Sequence, residues 1–528
     1  MLKKISLTHL AFGIIFGFFL LFVYRSFDAM LNIPFNEFDE AHRAENARRM
    51  AEYNSWFVPI TGSVQDRILD FRIPSKEDPS KFLYYHLERP PLIYNLMMLS
   101  SKVFGITEFS YRFPSFILGL LTIVGFLISC KLNSKKLHLP AFILGLICLM
   151  TSADLWESSQ YAQLDTGLTF FLFVSLVSLM IFIEKGREIF LITASLGFAL
   201  AVLSKGQPAI LLLPVILFLL ITKKVDKWVL VKFIGYSTIF LIPWISIISL
   251  KFGFINFTKI FVGFTFSTPS LDIAHHSAPV FWYTRWLWES LRPGWALFLS
   301  LFLTDLISKR ITWQKLTLLV FILGNLFWLS LLQNKLWWYI LPLIPPICLY
   351  IYLSARDYLN DEKYLSNIAI VIMILSRSPL GLSNKLVLFY GALFTSVSFY
   401  ILNQVETLNI TKRFPRVIKF IFSPKMLFVY AVTLSLFFFY TRFPKIIPYH
   451  WNIKTISQYF DALPKRKCLW IYQIPTESVL FYSNTQEVYT YNLGASPLGH
   501  CDNYIMTTSK LKDFKLEYWV GNMELYKF

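Results

Sequence analysis

Apolar stretches of membrane-spanning length recur along the chain and alternate with short polar loops. A helix needs about 20 predominantly apolar residues to cross the ~30 Å hydrocarbon core of a bilayer. The pattern therefore predicts an all-α polytopic membrane domain of about thirteen transmembrane helices, the first of them near the N-terminus. The later spans are predicted at residues 113–130, 138–153, 166–183, 189–204, 207–222, 229–250, 293–308, 315–332, 338–355, 365–377, 386–403 and 425–442.

Two long polar segments interrupt this alternation, at residues 25–112 and 251–292. The first follows the first apolar stretch and contains a short apolar run at residues 91–105, with Asn95 and Lys102 inside it. This run is short for a transmembrane span, so it is predicted to lie flat as an interfacial helix. Both polar segments then fall on the same side of the membrane.

Positive charge is concentrated in the loops between apolar stretches. The chain has 50 Lys and Arg residues against 32 Asp and Glu residues, a formal net charge of +18. Such an excess can indicate a nucleic-acid partner, but here the positive-inside rule accounts for it, and no nucleic-acid binding is predicted. Loops such as KLNSKK, TKKVDK and TKRFPRVIK are predicted to be cytoplasmic together with Lys3 and Lys4. The two long loops then face the periplasmic side of a bacterial inner membrane.

The composition changes near residue 443, where apolar runs shorten to strand length. Runs such as CLWIYQ and NYIMTT alternate with turn-forming residues, and LEYWV-GN-MELYKF has the pattern of a closing hairpin. We therefore predict a membrane domain over residues 1–442 and a small periplasmic α/β domain over residues 443–528. Thiols tend to pair in the oxidising periplasm, so Cys468 and Cys501 are predicted to form a disulfide.

Acidic side chains near the outer ends of spans are the first candidates for chemistry. Asp39 and Glu40 open a helix-favouring segment in the first polar loop, and Asp165 lies directly before a later span. Carboxylates can act as a general base or orient an acceptor, so all three are predicted catalytic residues. Each also has a structural interpretation, because acids favour helix N-termini and Asp is a good N-cap.

Basic side chains are predicted on the same side as these acids. They are Arg89, Arg112, Lys205 and Lys335. Lys205 and Lys335 depart from the positive-inside trend, which makes them the more informative pair. Several outward cations fit a membrane-embedded anionic ligand such as a polyprenyl phosphate. The alternative for the lysines is snorkelling of the ammonium group towards water.

A metal site is a further candidate. His275 and His276 lie in the second long loop, and Glu88 precedes Arg89 in the first. Histidine nitrogen and carboxylate oxygen both suit zinc, so Glu88 and His276 are candidate ligands of a divalent metal. Plain polar surface is the alternative for the two histidines. No GxGxxG or GxxxxGK[ST] nucleotide cradle is evident in the sequence, so no nucleotide cofactor is predicted.

These segments together resemble the lipid-dependent GT-C glycosyltransferases. The resemblance rests on the acidic pair, the ERPP corner, GITEFSYRFP, LDTGLTFF, LSKG, HHSAPVFWY and NKLWWYILPLIPP, in the family's order. Protein O-mannosyltransferases and the aminoarabinose transferase of lipid A are members that the sequence resembles. The resemblance implies a GT-C fold of about thirteen spans with periplasmic interfacial helices. It also implies a sugar donor carried on polyprenyl phosphate.

Matching positions imply roles for individual residues. Asp39 and Asp165 match the acids of the family, and Lys205 and Tyr339 match residues that line its lipid-phosphate site. The resemblance thus adds Tyr339 to the predicted donor phosphate-binding residues.

The metal candidates also have counterparts in the family. Glu88 and His276 match a pair seen near a bound metal. The sequence departs from the aminoarabinose transferase in having Arg89 in place of lysine and Val280 as an extra residue. The tail after residue 443 resembles no segment of the family, which leaves the acceptor open.

Two functions follow from these observations. The first is an inverting glycosyltransferase that moves a sugar from a polyprenyl-phosphate carrier to a periplasmic acceptor, either lipid A, another glycan or lipid, or a protein. The second is a polytopic secondary transporter of an anionic lipid or glycan, which predicts repeat symmetry and charges at mid-membrane. The charges lie at the ends of spans and no repeat is evident in the sequence, which favours the glycosyltransferase.

Overall fold

The computed structural model describes the chain in segments. These are residues 7–35, 38–61, 71–74, 76, 82–134, 137–261, 278–291, 294–358, 433, 448–463, 467–472, 479, 488–490, 502–511, 514–520 and 523–527. Within them the chain is mostly helical, with one small sheet in the first polar loop and a second sheet near the C-terminus.

The helices follow the predicted apolar stretches closely. They are α1 Leu7–Asn32, α2 Phe38–Tyr53, α3 Leu92–Phe104, α4 Glu108–Leu132, α5 Leu139–Met150, α6 Ala153–Gln160, α7 Asp165–Lys185, α8 Glu188–Lys205, α9 Leu213–Ile221, α10 Lys227–Phe252, α11 Trp282–Ser290, α12 Gly294–Ile307, α13 Trp313–Leu331, α14 Ile344–Tyr358 and α15 Pro448–Ala462. Two 3-10 helices, Gln207–Leu212 and Trp337–Leu343, precede α9 and α14.

Seven helices in the described segments are long and apolar enough to cross a membrane. They are α1, α4, α7, α8, α10, α13 and the run Trp337–Tyr358, which includes α14. This architecture confirms a polytopic membrane fold. At the spans predicted at residues 207–222 and 293–308 the apolar helices are shorter than these seven. The spans predicted at residues 365–377, 386–403 and 425–442 lie outside the described residues, so the total of thirteen stays a prediction.

The span predicted at residues 138–153 is not straight. α5 ends at Met150, and α6 continues after a bend of 56°. The Thr151 hydroxyl donates to the Ile147 carbonyl at 2.8 Å, whereas Ser152 Oγ accepts from the Leu155 N–H at 3.4 Å as the N-cap of α6. Two adjacent hydroxyl residues thus lie where one helix ends and the next begins. Their hydrogen bonds to the backbone compete with continuation of a single helix, and hydropathy alone does not reveal this.

α3 occupies the short apolar run for which the sequence predicts an interfacial position. Its 13 residues extend about 20 Å at 1.5 Å per residue, less than the ~30 Å hydrocarbon thickness. One face buries Ile93, Tyr94 and Met97, whereas Leu99 and Val103 on the opposite face are exposed. A helix of this length with two such faces is typical of the membrane interface. The structure therefore favours the flat orientation.

Thiol labelling can test this topology. A flat α3 places the end of α4 in the cytoplasm, where the exposed Lys131 lies. In a Cys130→Ala background, Lys131→Cys should resist a membrane-impermeant thiol reagent until the cells are lysed. Ile106→Cys, at a 65% exposed position between α3 and α4, should be labelled in intact cells as the matched control. Labelling of residue 131 before lysis would mean that α3 crosses the membrane.

The first polar loop folds into α2, a three-stranded antiparallel sheet and α3. The strands are β1 Ile60–Thr61, β2 Arg72–Pro74 and β3 Phe82–Tyr85, in the order β1-β3-β2. β3 leads directly into the turn that carries Glu88 and Arg89, where the Arg89 N–H donates to the His86 carbonyl at 3.2 Å. The sheet therefore positions the polar corner at the start of α3.

α7 and α8 form a tightly packed antiparallel pair. A Cβ atom on Gly197 would lie 3.0 Å from both the Phe171 carbonyl oxygen and the Ser175 amide nitrogen. Ser175 Oγ donates to the Ala194 carbonyl at 2.7 Å across the same contact. Small residues allow this close approach of two backbones, as in other membrane helix pairs. Because the helices run antiparallel, the start of α7 lies beside the end of α8.

A buried group of polar side chains joins α12, α13 and α14 at the end of the bundle predicted to face the cytoplasm. Asp305 and Lys315 form an ion pair of 2.8 Å between two fully buried side chains. The Asp305 carboxylate also accepts hydrogen bonds from Tyr350 at 2.9 Å, Ser354 at 2.5 Å and Tyr358 at 2.9 Å. We call these five residues the Asp305 cluster. Its oxygens are thereby satisfied inside the protein.

The described part of the C-terminal region combines α15 with a five-stranded sheet. The strands are β4 Lys467–Tyr472, β5 Val488–Thr490, β6 Asp502–Thr507, β7 Lys515–Val520 and β8 Met523–Lys527, in the order β5-β4-β6-β8-β7. β4 is parallel to β5 and β6, and β8 is antiparallel to its neighbours. The α/β character and the closing β7–β8 hairpin agree with the sequence pattern. Lys454 on α15 contacts Glu108 on α4 at 2.6 Å.

Cys468 on β4 is disulfide-bonded, as the sequence predicts. The proposed partner, Cys501, lies outside the described residues. The register supports the predicted pairing, since Lys467 and Cys468 pair with Asp502 and Asn503 at the start of β6. The remaining three cysteines, Cys130, Cys148 and Cys348, are buried free thiols.

Candidate functional site

Glu40 and Arg112 form a buried ion pair between α2 and α4. Arg112 Nε donates to Glu40 Oε1 at 2.7 Å, and Arg112 Nη2 donates to Oε2 at 2.9 Å. Glu40 Oε1 also accepts from the Ala162 N–H at 2.9 Å. Arg112 donates further to the carbonyl oxygens of Ile33 and Pro34. This bidentate arrangement fixes α2 against α4 and against the segment before α7.

The geometry corrects two predictions. Glu40 is predicted to be catalytic and Arg112 to bind the donor phosphate, but their charges neutralise each other inside the protein. Both side chains are almost completely inaccessible to solvent, 0% for Glu40 and 1% for Arg112. A buried pair of this kind holds its charges in place, and separating it to admit a ligand would be costly. We assign both residues a structural role.

Asp39 lies on the same helix but remains accessible, with 40% of its side chain exposed. Its Oδ2 accepts from Arg43 Nη2 at 2.7 Å. Burial of the carboxyl raises its pKa, but the positive charges of Arg43, Arg89, His42 and Lys205 outweigh this effect and hold the pKa below its ordinary value. Asp39 is therefore ionised at neutral pH and able to interact with a hydroxyl group.

Asp165 and Lys205 lie at the adjoining ends of α7 and α8. The Lys205 ammonium donates to Asp165 Oδ1, and both side chains are buried. The ammonium nitrogen also lies 5.3 Å from the centroid of the Tyr339 ring, within the range of a cation–π contact. A predicted catalytic acid and two predicted phosphate-binding residues, from distant parts of the chain, thus meet at one point.

Asp165 does not act as an N-cap. α7 begins at Asp165 itself, and the N-cap residue Leu164 makes no side-chain hydrogen bond. Asp165 Oδ2 is buried and has no hydrogen-bond partner among the described residues. A carboxylate oxygen in this state can accept a hydrogen bond from a bound hydroxyl group. The structural interpretation of Asp165 is therefore replaced by that of a buried acid paired with a lysine.

The two remaining predicted cations differ in their surroundings. Arg89 is close enough to Asp39 for its charge to lower the pKa of that carboxyl. The Lys335 ammonium donates to the Leu332 carbonyl, and no acidic side chain pairs with it in the part of the chain that the structure describes. Lys335 directly precedes the 3-10 helix that carries Tyr339. Arg89 therefore lies within electrostatic range of Asp39, and Lys335 lies next to the Tyr339 segment.

Glu88 is buried beside a histidine that the sequence analysis does not single out. His86 Nε2 lies 2.7 Å from Glu88 Oε1. Asn46 Nδ2 lies 3.1 Å from His42 Nε2 and 3.4 Å from His86 Nδ1. Burial raises the pKa of the Glu88 carboxyl, but His86 and Arg89 together lower it below its ordinary value. The structure thus places Glu88 in a polar group beside α2.

This group does not by itself form a metal site. Within the described ranges, no set of three His, Cys, Asp or Glu side chains is arranged to hold a metal ion. Glu88 Oε1 is engaged by His86 and the facing nitrogens of His42 and His86 by Asn46. The other predicted ligand, His276, lies outside the described residues. The zinc site stays a prediction.

Arg43, His42 and His86 are the site residues that sequence analysis missed. Arg43 and His42 follow Asp39 by one helical turn, so helical spacing could have placed them on its side of α2. His86 alternates with Glu88 at the end of β3, which is also a recognisable pattern. Neither pattern identifies the distant partners. Arg43 bonds to the Ala162 carbonyl, and His86 contacts Asn46, and both partners lie far away in the sequence.

Comparison with known proteins supports this architecture. Residues 88–249 match the family model for dolichyl-phosphate-mannose-protein mannosyltransferase. The chain is 26% identical over 377 residues to the undecaprenyl phosphate-alpha-4-amino-4-deoxy-L-arabinose arabinosyl transferase of Aeromonas salmonicida, a match that covers 66% of this chain and 60% of the relative. It is 24% identical over 312 residues to an uncharacterized protein of Aquifex aeolicus, covering 56% of this chain and 59% of the relative.

Two further similarities involve a shorter match and a solved structure. A polyprenol-phosphate-mannose–protein mannosyltransferase of Corynebacterium glutamicum is 32% identical over 136 residues, 26% of this chain and 22% of the relative. The crystal structure of ArnT from Cupriavidus metallidurans in the apo state superposes with a TM-score of 0.64 at 15% identity, covering 97% of this chain and 98% of ArnT. ArnT bound to undecaprenyl phosphate gives a TM-score of 0.63, also at 15% identity, over the same shares of the two chains.

The sequence matches span about 60% of the length of the first two relatives, whereas the structural match extends over nearly the whole chain. Fold and local sequence therefore agree on one architecture. The chain is thus similar in fold to ArnT and similar in local sequence to the aminoarabinose transferases and the protein mannosyltransferases.

Proposed function

We propose that the chain is an inverting glycosyltransferase on the periplasmic face of a bacterial inner membrane. Its donor would be a sugar linked to polyprenyl phosphate, and its acceptor lipid A or another glycan or lipid, with a protein as the alternative. One observation carries this proposal. An ionised, accessible Asp39 lies within the electrostatic influence of Arg89 and of Lys205, which is bonded to Asp165. Base, phosphate-binding cations and a second acid thus share one site.

Asp39 would take the proton from the acceptor hydroxyl. The acceptor oxygen forms a bond to the anomeric carbon while the bond from that carbon to the phosphate oxygen breaks, which inverts the configuration. The polyprenyl phosphate leaves with the electron pair, and the acceptor proton passes to Asp39. A carboxylate with a lowered pKa can do this because the acceptor O–H becomes strongly acidic as its oxygen bonds to carbon. Asp165 Oδ2 would orient the acceptor or a sugar hydroxyl.

Charge on the leaving phosphate is the second requirement. The Lys205 ammonium carries three N–H donors, of which one is directed at Asp165. The others, with the guanidinium of Arg89, would neutralise the phosphate as the sugar departs. Such fixed charges stabilise a developing anion without rearranging during the reaction. Tyr339 would hold the Lys205 ammonium from the ring side.

Reconstitution tests the proposed function directly. The purified protein in lipid vesicles should transfer sugar from a bacterial polyprenyl-phosphate donor to an acceptor in a lipid and glycan extract, detected by mass spectrometry. Comparison of lipid A and surface glycans from cells with and without the gene would identify the acceptor. Movement of the intact carrier across the vesicle membrane without loss of its sugar would instead identify a transporter.

Donor binding is expected to depend on Lys205. A charge-assisted hydrogen bond contributes roughly 1.5–3 kcal/mol, so Lys205→Ala should weaken binding of undecaprenyl phosphate by about 10-fold or more. Native mass spectrometry with increasing lipid concentration can measure this. Lys232→Ala, which removes an exposed lysine of α10, should bind like the wild type.

A double variant distinguishes loss of a phosphate contact from distortion of the site. Lys205→Ala leaves Asp165 as an unpaired buried acid, and this alone could distort the site. Lys205→Ala with Asp165→Asn removes that charge as well. Binding should stay weak in the double variant if Lys205 contacts the phosphate. Recovery of wild-type binding would show that Lys205 serves only to neutralise Asp165.

A further inference from the structure

Arg43 is a buried arginine that connects two parts of the candidate site. Only 8% of its side chain is exposed. Its Nη2 donates to Asp39 Oδ2 at 2.7 Å, and its Nη1 donates to the Ala162 carbonyl oxygen at 3.2 Å. The first contact lies within α2, whereas the second reaches the turn that leads into α7. One planar guanidinium group therefore bonds to both.

The Ala162 peptide unit is held from both sides by α2. Its carbonyl oxygen accepts from Arg43, and its N–H donates to Glu40 Oε1 at 2.9 Å. Neighbouring contacts hold the same turn, since Ser115 Oγ donates to the Gln163 carbonyl at 3.0 Å. The turn ends at Asp165, which begins α7. The separation between Asp39 and Asp165 is thus set through the Ala162 peptide.

We propose that Arg43 is a positioning residue that holds Asp39 in place relative to Asp165 by bonding to Asp39 and to the Ala162 carbonyl at the same time. This role rests on the proposed function, because it describes the geometry of the same two acids. Arg43 acts through Asp39 rather than on the substrate. A lysine could supply the charge but, as a compact ammonium, would not reproduce the fork that reaches both partners.

The charged and titratable groups around Asp39 come from four parts of the chain. Arg43 and His42 lie on α2, Arg89 lies in the turn before α3, and Lys205 lies at the end of α8. The hydroxyl of Tyr339 on the 3-10 helix before α14 is near enough to interact with Asp39 as well. Among the cations that lower the Asp39 pKa, Arg43 contributes most. Removing its charge should therefore raise that pKa.

Two substitutions separate charge from geometry. Arg43→Gln removes the positive charge and the forked guanidinium that bonds to Asp39 and to the Ala162 carbonyl. Its kcat should therefore fall by about 10²-fold, the order expected when reacting groups lose alignment. The acidic limb of its pH–rate profile should also move to higher pH, since Asp39 is then protonated more readily. Arg43→Lys keeps the charge, so its acidic limb should stay close to that of the wild type while kcat still falls. The KM for the donor should change little in either variant.

A matched control lies on the same helix. Arg48 is paired with Glu45 at 2.7 Å, and Glu45 keeps Arg49 as a second partner at 2.8 Å. Arg48→Gln therefore removes an arginine and an ion pair from α2 without touching Asp39. Its pH–rate profile and kcat should match those of the wild type. A shift in this variant equal to that of Arg43→Gln would show that the effect is general to α2 and would overturn the proposal.

Infrared titration provides a readout that does not need turnover. The difference between spectra of the parent protein and its Asp39→Asn variant isolates the Asp39 carboxyl band, which appears on protonation. The titration midpoint should be higher in the Arg43→Gln background than in the Arg43 background and unchanged in the Arg48→Gln background. An unchanged midpoint in Arg43→Gln would overturn the proposal. Absence of sugar transfer by the wild type would contradict the proposed function alone, because the infrared result still decides the role of Arg43.

Discussion

Asp39→Asn is expected to lower sugar transfer by about 10²-fold or more, the usual scale for loss of a general base. The substitution keeps the size of the side chain and removes its charge and its ability to take a proton. Arg43 retains its bond to the Ala162 carbonyl, so α2 should stay in place. Turnover measured with a fixed concentration of polyprenyl-phosphate donor, together with elution as a single folded species, checks the result.

Glu52→Gln is the matched control for this loss. Glu52 lies on the same helix, and its carboxylate is 3.5 Å from Arg49. Its substitution should leave transfer near the wild-type rate. If Asp39→Asn also retained near-normal turnover, Asp39 would be reduced to an acidic residue at the start of a helix, and the mechanism would need another base.

Lys315→Met is expected to be the most destabilising single substitution described here. The Asp305–Lys315 pair is fully buried, and removing one partner of such a pair costs about 3–5 kcal/mol because the other charge stays uncompensated. Lys315 also pairs with Asp357 at 2.9 Å, so a second acid loses its partner. The three hydroxyl groups that donate to Asp305 offset only part of this loss.

Thiol exposure during heating offers a convenient measurement. The three buried cysteines should react with a fluorogenic maleimide only as the membrane domain opens, at a lower temperature in Lys315→Met than in the wild type. Lys232→Met breaks an exposed ion pair and should shift the midpoint little, since such pairs contribute about 0–1 kcal/mol. Lys315→Met with Asp305→Asn should be more stable than Lys315→Met alone. A wild-type midpoint for Lys315→Met would show that the cluster carries no net stability.

Helix positions were the most predictable part of the fold. The spans predicted at residues 166–183 and 189–204 correspond to α7 and α8, because long uniform apolar stretches leave few alternatives in a membrane. The bend between α5 and α6 was not predictable from hydropathy. It depends on hydrogen bonds of Thr151 and Ser152, and a window averaged over a whole span does not register two side chains.

The sequence indicated which charged residues lie near the candidate site, but it did not indicate which of them pair with each other. The structure brings Asp165, Lys205 and Tyr339 together, whereas their roles in the reaction stay predictions. Glu40 and Arg112 were assigned to chemistry because each is a charged residue on the outer side. Their mutual pairing joins α2 to α4, and no sequence pattern specifies such a distant contact. A charged residue near a site can thus serve structure or chemistry, and only its partner distinguishes the two.

The short length of α3 affects the depth at which Arg89 would contact the phosphate of a lipid-borne donor. An interfacial helix takes its depth from the boundary between headgroups and acyl chains. Arg89 is joined to the start of α3 through Pro90 and Pro91, whose rings restrict the backbone between them. In the flat orientation of α3, the bilayer as well as the protein would set the height of the Arg89 charge. A phosphate on a membrane lipid would lie at that same level, so cation and anion would be aligned in depth before they come into contact.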